Sequence, residues 1–164
     1  MRRGMNAQEF QQLVEFLEGT PERIRQLTGR LSEEELKYKP SADEFSALEQ
    51  VCHLRDIEEE GYSLRIRKIL NENRPALPDL DGSRLARERD YNNQDFASAL
   101  QAFGDAREEN VRLVRTLTSE QLNRSGMLEG VGEVTIERLL LLMREHDQGH
   151  LGELSNLRAV ESKQ

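Results

Sequence analysis

Two of the three histidines in the chain, His146 and His150, lie four residues apart. On a helix this spacing places both imidazoles on one face, one turn apart. That face is apolar, because the pair continues the series formed by Leu139, Met143 and Leu154. Buried ring nitrogens need partners, and a divalent metal ion is one such partner. The spacing therefore predicts either a pair of metal ligands or two hydrogen-bonded core histidines.

The third histidine, His53, is the remaining candidate ligand. At ~1.5 Å per residue it lies ~12 Å from the start of its predicted helix. By the same measure, His146 and His150 lie ~20 Å and ~14 Å from the end of theirs. If the two helices are antiparallel, His53 lies at the same height along the bundle as the pair, within about one turn, ~5 Å. If they are parallel, the heights differ by ~9 Å. We therefore predict that His53, His146 and His150 bind one divalent ion.

Three neutral imidazoles leave at least one coordination position open, which is typical of a catalytic metal site and not of a structural zinc site. Imidazole ligands suit zinc, nickel and ferrous iron, so the ligand set does not identify the metal. A bound water with its pKa lowered towards ~7 would supply a hydroxide nucleophile. Alternatively, a low-molecular-weight thiol bound as thiolate would attack the electrophile.

Carboxylates on the same helix face as His53 are candidates for a general base or for an acceptor that holds its ring. Asp56, three residues later, is the first candidate, and Glu49 and Glu60 also fit the helical spacing. The alternative is that each of these carboxylates belongs to a solvated acidic face. We predict catalytic roles for Asp56 and Glu49.

Two further residues have plausible but different interpretations. Cys52 is adjacent to His53, but successive helical side chains diverge by about a quarter turn. We therefore interpret its thiol as a small buried hydrophobe and not as a nucleophile. Arg107 falls on the apolar stripe of its helix, where it either binds an anionic group at the bundle mouth or extends its charge to solvent.

Four segments with helical periodicity must position these residues, and no alternation typical of strands is present. The predicted helices cover residues 7–31, 45–70, 95–117 and 134–159. In the first, Gly19-Thr20-Pro21 predicts a kink, or a restart with Thr20 as the cap. Ser32 and Glu35 form a capping box that opens a short helical turn. The pattern predicts an all-α four-helix bundle.

The connection between the second and third helices, residues 71–93, is unusually long for a compact domain. Fully extended, it spans up to ~66 Å at ~3.3 Å per residue, whereas a helix of ~25 residues is ~38 Å long. It can therefore cross over to the starting end of the bundle. This makes helices two and four antiparallel, as the histidine levels favour. The second connection, residues 119–132, is predicted to be a loop.

Composition limits the classes of partner. The 164 residues are expected to form one domain, 1–164, with a net charge of −8 and no basic block. This balance argues against nucleic acid or an anionic membrane surface as a partner. No apolar run approaches the ~20 residues of a membrane helix, and no signal-peptide core follows Arg2 and Arg3. A single cysteine is typical of the reducing cytoplasm, where we expect the protein to act.

The sequence resembles the DinB-like superfamily, also described as YfiT-like metalloenzyme bundles, over residues 10–157. The similar motifs are FSALE at 45–49, HLRDIE at 53–58 followed by Arg65, EHDQGHLG at 145–152, GEVT at 132–135 and GTP at 19–21. The family often has Trp where this chain has Phe45, which is a packing position. The resemblance implies a four-helix bundle in up-down-down-up order.

The resemblance also implies a metal held by one histidine of helix two and a His-x-x-x-His pair of helix four, which are here His53, His146 and His150. Members with an assigned activity are thiol-dependent transferases or isomerases, or metal-dependent hydrolases. We therefore expect a metal-dependent S-transferase or hydrolase that acts on a small molecule. The alternative is a non-catalytic bundle that serves as an interaction or metal-binding module. A homodimer formed through an outer helix face is a further expectation.

Overall fold

Four long helical segments form the bundle in the computed structural model, which describes residues 4–161 and the side chains of 4–158. They are α1 (Ala7–Thr28); α3 (Ala47–Asp56), which continues through a π-helical segment (Ile57–Tyr62) into α4 (Ser63–Asn71); α6 (Phe96–Arg115); and α8 (Ile136–Glu161). The shorter elements are α2 (Glu33–Lys37), α5 (Gly82–Glu88), a 3-10 turn (Tyr91–Asn93) and α7 (Ser119–Leu122). The four predicted helices are confirmed, with ends that differ by at most three residues. Within the described residues, no helix is both long and apolar enough to cross a membrane.

Side-chain caps fix where most of the helices begin, α2 and α3 among them. The predicted capping box at Ser32 and Glu35 is confirmed, since each side chain accepts a hydrogen bond from the backbone N–H of the other residue. Ser46 and Glu49 form a second box at the start of α3. This second cap sets the register of the helix that carries His53.

Helix α1 is continuous through Pro21, so the expected restart at Thr20 is wrong. A proline lacks the N–H that would bond to the carbonyl four residues earlier, here that of Leu17. That carbonyl accepts a hydrogen bond from Nη1 of Arg107, at 2.8 Å. The helix tolerates the proline because a side chain of α6 supplies the missing donor.

The expectation that the chain contains no strands is wrong in its two long connections. Strands β2 (Ser125–Leu128) and β3 (Gly132–Thr135) form an antiparallel hairpin, and β1 (Ala76–Leu77) pairs with β2 in parallel. Strands of two to four residues are too short to produce the alternation that predicts them. Gly130 and Gly132 adopt positive φ angles of 75° and 102°, which a glycine permits at the hairpin turn. The sheet ties the connection between α4 and α6 to the connection before α8.

Apolar side chains form two core clusters. The first includes Leu13, Leu17, Ile66, Val111 and Met143, and the second includes Ile24, Leu48, Leu54, Phe103 and Leu154. The buried polar residues of α1, α6 and α8 include Thr20, Arg107 and Asp147, and both Thr20 and Arg107 donate hydrogen bonds to Asp147. The core is therefore interrupted by a polar layer near the middle of the bundle.

Candidate metal centre

The three histidines converge on one point, although they come from two separate helices. Nε2 of His53 on α3 lies 3.0 Å from Nε2 of His146 on α8, and Nε2 of His150 lies 3.2 Å from the same atom. Two nitrogens that are each ~2.0–2.1 Å from one ion lie roughly 2.9–3.4 Å apart for octahedral to tetrahedral angles. The observed separations therefore fit a shared metal ion.

Hydrogen bonding alone does not satisfy these ring nitrogens. A neutral imidazole has one N–H and one lone pair. Nδ1 of His150 lies 3.1 Å from Oε1 of Gln50, an acceptor, so Nδ1 carries the proton and Nε2 presents its lone pair. Nε2 of His146 faces two other Nε2 atoms and has at most one proton to share. The arrangement favours a shared cation over a hydrogen-bonded pair of core histidines.

Burial keeps all three imidazoles in the form that binds metals. Desolvation is the largest cause that lowers the pKa of His53, His146 and His150 to about 4, and in each case a neighbouring histidine adds to the effect. The rings are therefore neutral at pH 7. A neutral ring nitrogen is the state that a metal requires.

The His53 ring packs against Gly82 at the start of α5. A Cβ added at residue 82 would lie 2.7 Å from Cε1 and 2.8 Å from Nδ1 of His53, which is too close for either atom. Within the described residues, the buried Nδ1 of His53 has no hydrogen-bond partner. The expectation that Asp56 holds this ring is therefore wrong. Instead, the absence of a side chain at residue 82 leaves room for the ring.

Asp56 is buried, and its carboxylate is occupied by three donors. Arg55 and Arg89 each donate a hydrogen bond at 2.7 Å, and the hydroxyl of Tyr91 donates another. Burial alone would raise the pKa of this carboxyl, but the hydrogen bonds lower it below its ordinary value. A carboxylate held in this way is a weak proton acceptor. Its contacts indicate that Asp56 joins α3 to the connection between α4 and α6.

Glu49 likewise has partners away from the histidines. Besides capping α3, its Oε1 lies 2.8 Å from Nζ of Lys39. Glu60 pairs with Arg89 at 3.0 Å. These contacts assign Glu49 a structural role at the helix start, and its catalytic role stays a prediction.

Three other side chains surround the imidazoles. Gln50 is 1% exposed and holds His150, as described above. The ring centroid of Phe45 lies 5.6 Å from that of His53, and the ring centroid of Tyr62 lies 6.4 Å from that of His146. Neither Gln50 nor Tyr62 was assigned a role from the sequence. Gln50 lies three residues before His53, so a scan of that helix face for hydrogen-bonding side chains identifies it.

Two residues with alternative interpretations are deeply buried. Burial raises the pKa of the Cys52 thiol to about 11, in agreement with its interpretation as a buried hydrophobe. Both interpretations of Arg107 are wrong, because its guanidinium reaches neither solvent nor the bundle mouth. It pairs with Glu58 and Asp147 in the core. Glu58 is therefore buried in an ion pair and does not belong to a solvated acidic face.

Two cavities border the histidines. One has a volume of about 830 Å³ and is lined by His53, Phe45 and residues of the 79–84 segment. The other has a volume of about 480 Å³ and is lined by His150, Gln50 and Phe45. Volumes of this size are typical of small-molecule sites. A reactant therefore has room beside the ring nitrogens.

A helical bundle with three convergent imidazoles beside two cavities defines a candidate metalloprotein. The family model of the DinB superfamily matches residues 17–154, so the chain belongs to this superfamily. Its structure is similar to that of YfiT from Bacillus subtilis, described as a probable metal-dependent hydrolase with an unusual four-helix bundle topology. The TM-score is 0.91 at 21% identity, with 99% of this chain and 93% of that chain covered, and this likeness shows the fold. None of the curated proteins gives a significant match.

Proposed function

We propose that the protein is a metal-dependent hydrolase in which His53, His146 and His150 bind one divalent ion. The observation that carries the proposal is the convergence of the three Nε2 atoms, at 3.0 Å and 3.2 Å, beside cavities large enough for a small molecule. A zinc, nickel or ferrous ion held by neutral imidazoles acts as a Lewis acid and makes water a nucleophile near neutral pH. The description of YfiT as a probable metal-dependent hydrolase supports the same class of reaction.

The surrounding residues orient the ligands and the substrate. Gln50 accepts the Nδ1 proton of His150 and so directs the lone pair of Nε2 towards the centre. Phe45 lines both cavities and provides an apolar wall for the substrate. Burial raises the pKa of Tyr62 to about 12, so its phenol stays protonated beside His146. These contacts restrict the motion of His150 and His146.

A proton acceptor for the reaction is better placed on α8 than on α3. Asp56 and Glu49, the two predicted carboxylates, are occupied by the hydrogen bonds described above. Glu153 lines the smaller cavity, and its Oε2 lies 3.8 Å from Nδ1 of His150. Burial and the charge of Glu44 raise the pKa of Glu153 above its ordinary value, which makes its carboxylate a stronger base. We therefore propose Glu153 as a proton acceptor in the smaller cavity, on the Nδ1 side of the His150 ring.

The reaction class is tested with metal-loaded protein and two sets of probes. We expect hydrolysis of activated esters of small carboxylic acids, with loss of activity after removal of the metal by a chelator and recovery after its return. The second set combines a small thiol with an alkyl halide. Turnover of the second set alone would contradict hydrolysis and support thiol-dependent S-transfer. No turnover of either set by a metal-loaded protein would support a non-catalytic metal-binding module.

We predict that Gly82→Ala weakens metal binding about tenfold, as loss of a contact that orients a metal ligand does. The added methyl group would displace the His53 ring, because it would lie 2.7 Å from Cε1. The dissociation constant is measured by competition with a chromophoric chelator. Gly149→Ala is the matched control, since a Cβ at residue 149 meets nothing within 4 Å. Equal affinities for the two variants would contradict the prediction.

We also propose that the four long helices follow the up-down-down-up order, with a crossover between the second and third. Helices α1 and α8 run parallel, since Met5 contacts Glu137 and Thr20 contacts Asp147. Helices α3 and α8 run antiparallel, since Gln50 contacts His150 and His53 contacts His146. Helices α1 and α6 also run antiparallel, since Pro21 lies near Gly104 and Leu17 contacts Arg107. This order brings His53 to the level of the other two ligands.

A further inference from the structure

A single guanidinium binds two buried carboxylates beside the histidines. Arg107 is 1% exposed, and its Nε and Nη2 donate to the two carboxylate oxygens of Glu58 at 2.8 Å and 2.9 Å. Its Nη1 and Nη2 donate to the two oxygens of Asp147 at 2.6 Å and 3.1 Å. Both contacts are bidentate, so the planar fork of the arginine fixes the direction as well as the distance of each carboxylate.

Both carboxylates are close in sequence to the histidines. Glu58 follows His53 by five residues within one continuous helical segment, and Asp147 directly follows His146. The helix that carries Arg107, α6, contributes none of the three histidines. The arginine therefore spans the two segments that carry the ligands, although its own helix has no ligand.

Resting on the proposed metal centre, we propose that Arg107 is a positioning residue, which holds the His53 segment and the His146–His150 segment at the separation that one ion requires. Nε2 of His53 lies 3.0 Å from Nε2 of His146 only if α3 and α8 keep this relative placement. The His53–His146 and Gln50–His150 contacts link α3 to α8 directly. The ion pairs of Arg107 supply a second connection, through the interior of the bundle.

Additional donors hold the carboxylates in place. Nδ2 of Asn110 donates to Glu58 at 3.0 Å, and the hydroxyl of Thr20 donates to Asp147 at 2.7 Å. The arginine is itself held by the Leu17 carbonyl, which Pro21 leaves without an intrahelical donor. Because each group has several partners, a shift of the guanidinium moves the helices and is not absorbed by a side-chain rotation.

The network also gives the Gly19-Thr20-Pro21 motif of α1 a role. Thr20 binds one carboxylate of the network, and Pro21 frees the carbonyl that binds the arginine. Buried ion pairs are weak contributors to net stability compared with apolar packing. A network of this size is therefore better explained by the placement it imposes on the ligand-bearing helices than by the stability it adds.

The test measures metal affinity and geometry in Arg107→Lys and Arg107→Met. The full-length protein is titrated with Co²⁺, and the dissociation constant and the visible absorption spectrum are recorded. We expect about a tenfold weaker affinity and an altered spectrum for both variants, as for other residues that orient metal ligands. Lysine keeps the charge but cannot form two bidentate contacts. Asn110→Ala keeps Arg107 but removes a donor to Glu58, so we expect it to weaken Co²⁺ binding by a smaller factor. This variant keeps the test possible if Arg107→Met does not fold.

Leu100→Ala is the control for a loss of stability alone. Leu100 is buried in the core on the same helix, but it belongs to the apolar cluster and not to the ion network. We expect it to lower the melting temperature while Co²⁺ affinity stays within about twofold of wild type. Wild-type affinity and spectrum in the Arg107 and Asn110 variants would overturn the positioning role alone. Failure of the wild-type protein to bind Co²⁺ would overturn both this role and the proposed metal centre.

Discussion

His146→Ala is expected to abolish metal binding while the protein keeps its helical content. Nε2 of His146 is the atom that approaches both other ligands, at 3.0 Å and 3.2 Å, so its loss leaves two imidazoles without the third. Two ligands bind a divalent ion far more weakly than three. We therefore expect the metal affinity to fall by more than about 100-fold, which exceeds the effect of losing a residue that only orients a ligand. Metal content per chain and far-UV circular dichroism are the two measurements.

The helix should survive this substitution because apolar side chains carry its packing. Leu139, Leu140 and Met143 are at most 1% exposed in the first core cluster, and Leu154 is equally buried in the second. Gln148→Ala, at an exposed position between the two ligands, serves as the control and should bind metal like wild type. Unfolding of His146→Ala, together with a wild type that binds no metal, would assign the histidines a structural role.

Arg107→Met is expected to destabilise the protein by about 3–5 kcal/mol, because it leaves two buried carboxylates without their counter-ion. Glu58 and Asp147 are each 1% exposed, so water cannot replace the lost donors. Methionine fills most of the vacated volume, which separates the effect of charge from that of a cavity. The free energy of unfolding is measured by urea denaturation of metal-free protein.

Arg112→Met on the same helix is the matched control. Arg112 pairs with Glu108 at 3.1 Å across one helical turn, and both side chains are largely exposed, at 71% and 69%. An exposed pair of this kind contributes about 0.3–0.5 kcal/mol. A loss below about 1 kcal/mol for Arg107→Met, similar to that of the control, would contradict the account of the buried network.

The helices and the histidine cluster follow from local patterns. Apolar periodicity over 20 or more residues predicts each helix, and the four-residue spacing of His146 and His150 places both rings on one face. His53 reaches the same level because each residue advances the helix by a fixed rise. Helical spacing, together with the antiparallel arrangement that the long connection favours, therefore identified the three rings that meet.

Interactions between distant segments could not be predicted in this way. Arg107 is 49 residues from Glu58 and 40 from Asp147, and no spacing rule fixes which carboxylate a buried arginine meets. The partners Arg89 and Tyr91, which occupy Asp56, lie in a connection without periodicity. Helical spacing placed Asp56 near His53, but it could not show that other donors already hold the carboxylate.

The short elements of the connections were missed for a different reason. Strand β1 has two residues and β2 and β3 have four each, which is less than a pattern needs to be recognised. Helix α5, seven residues long, begins at Gly82 with Asp81 as its cap. This start brings Gly82 against His53, so the connection between α4 and α6 contributes to the site.

The metal content of wild-type protein, purified without a chelator or a nickel column, tests the central claim most directly. Elemental analysis should find close to one divalent ion per chain, as expected if His53, His146 and His150 share it. Metal-free protein with an unchanged melting temperature after addition of zinc, nickel or ferrous ion would contradict the claim.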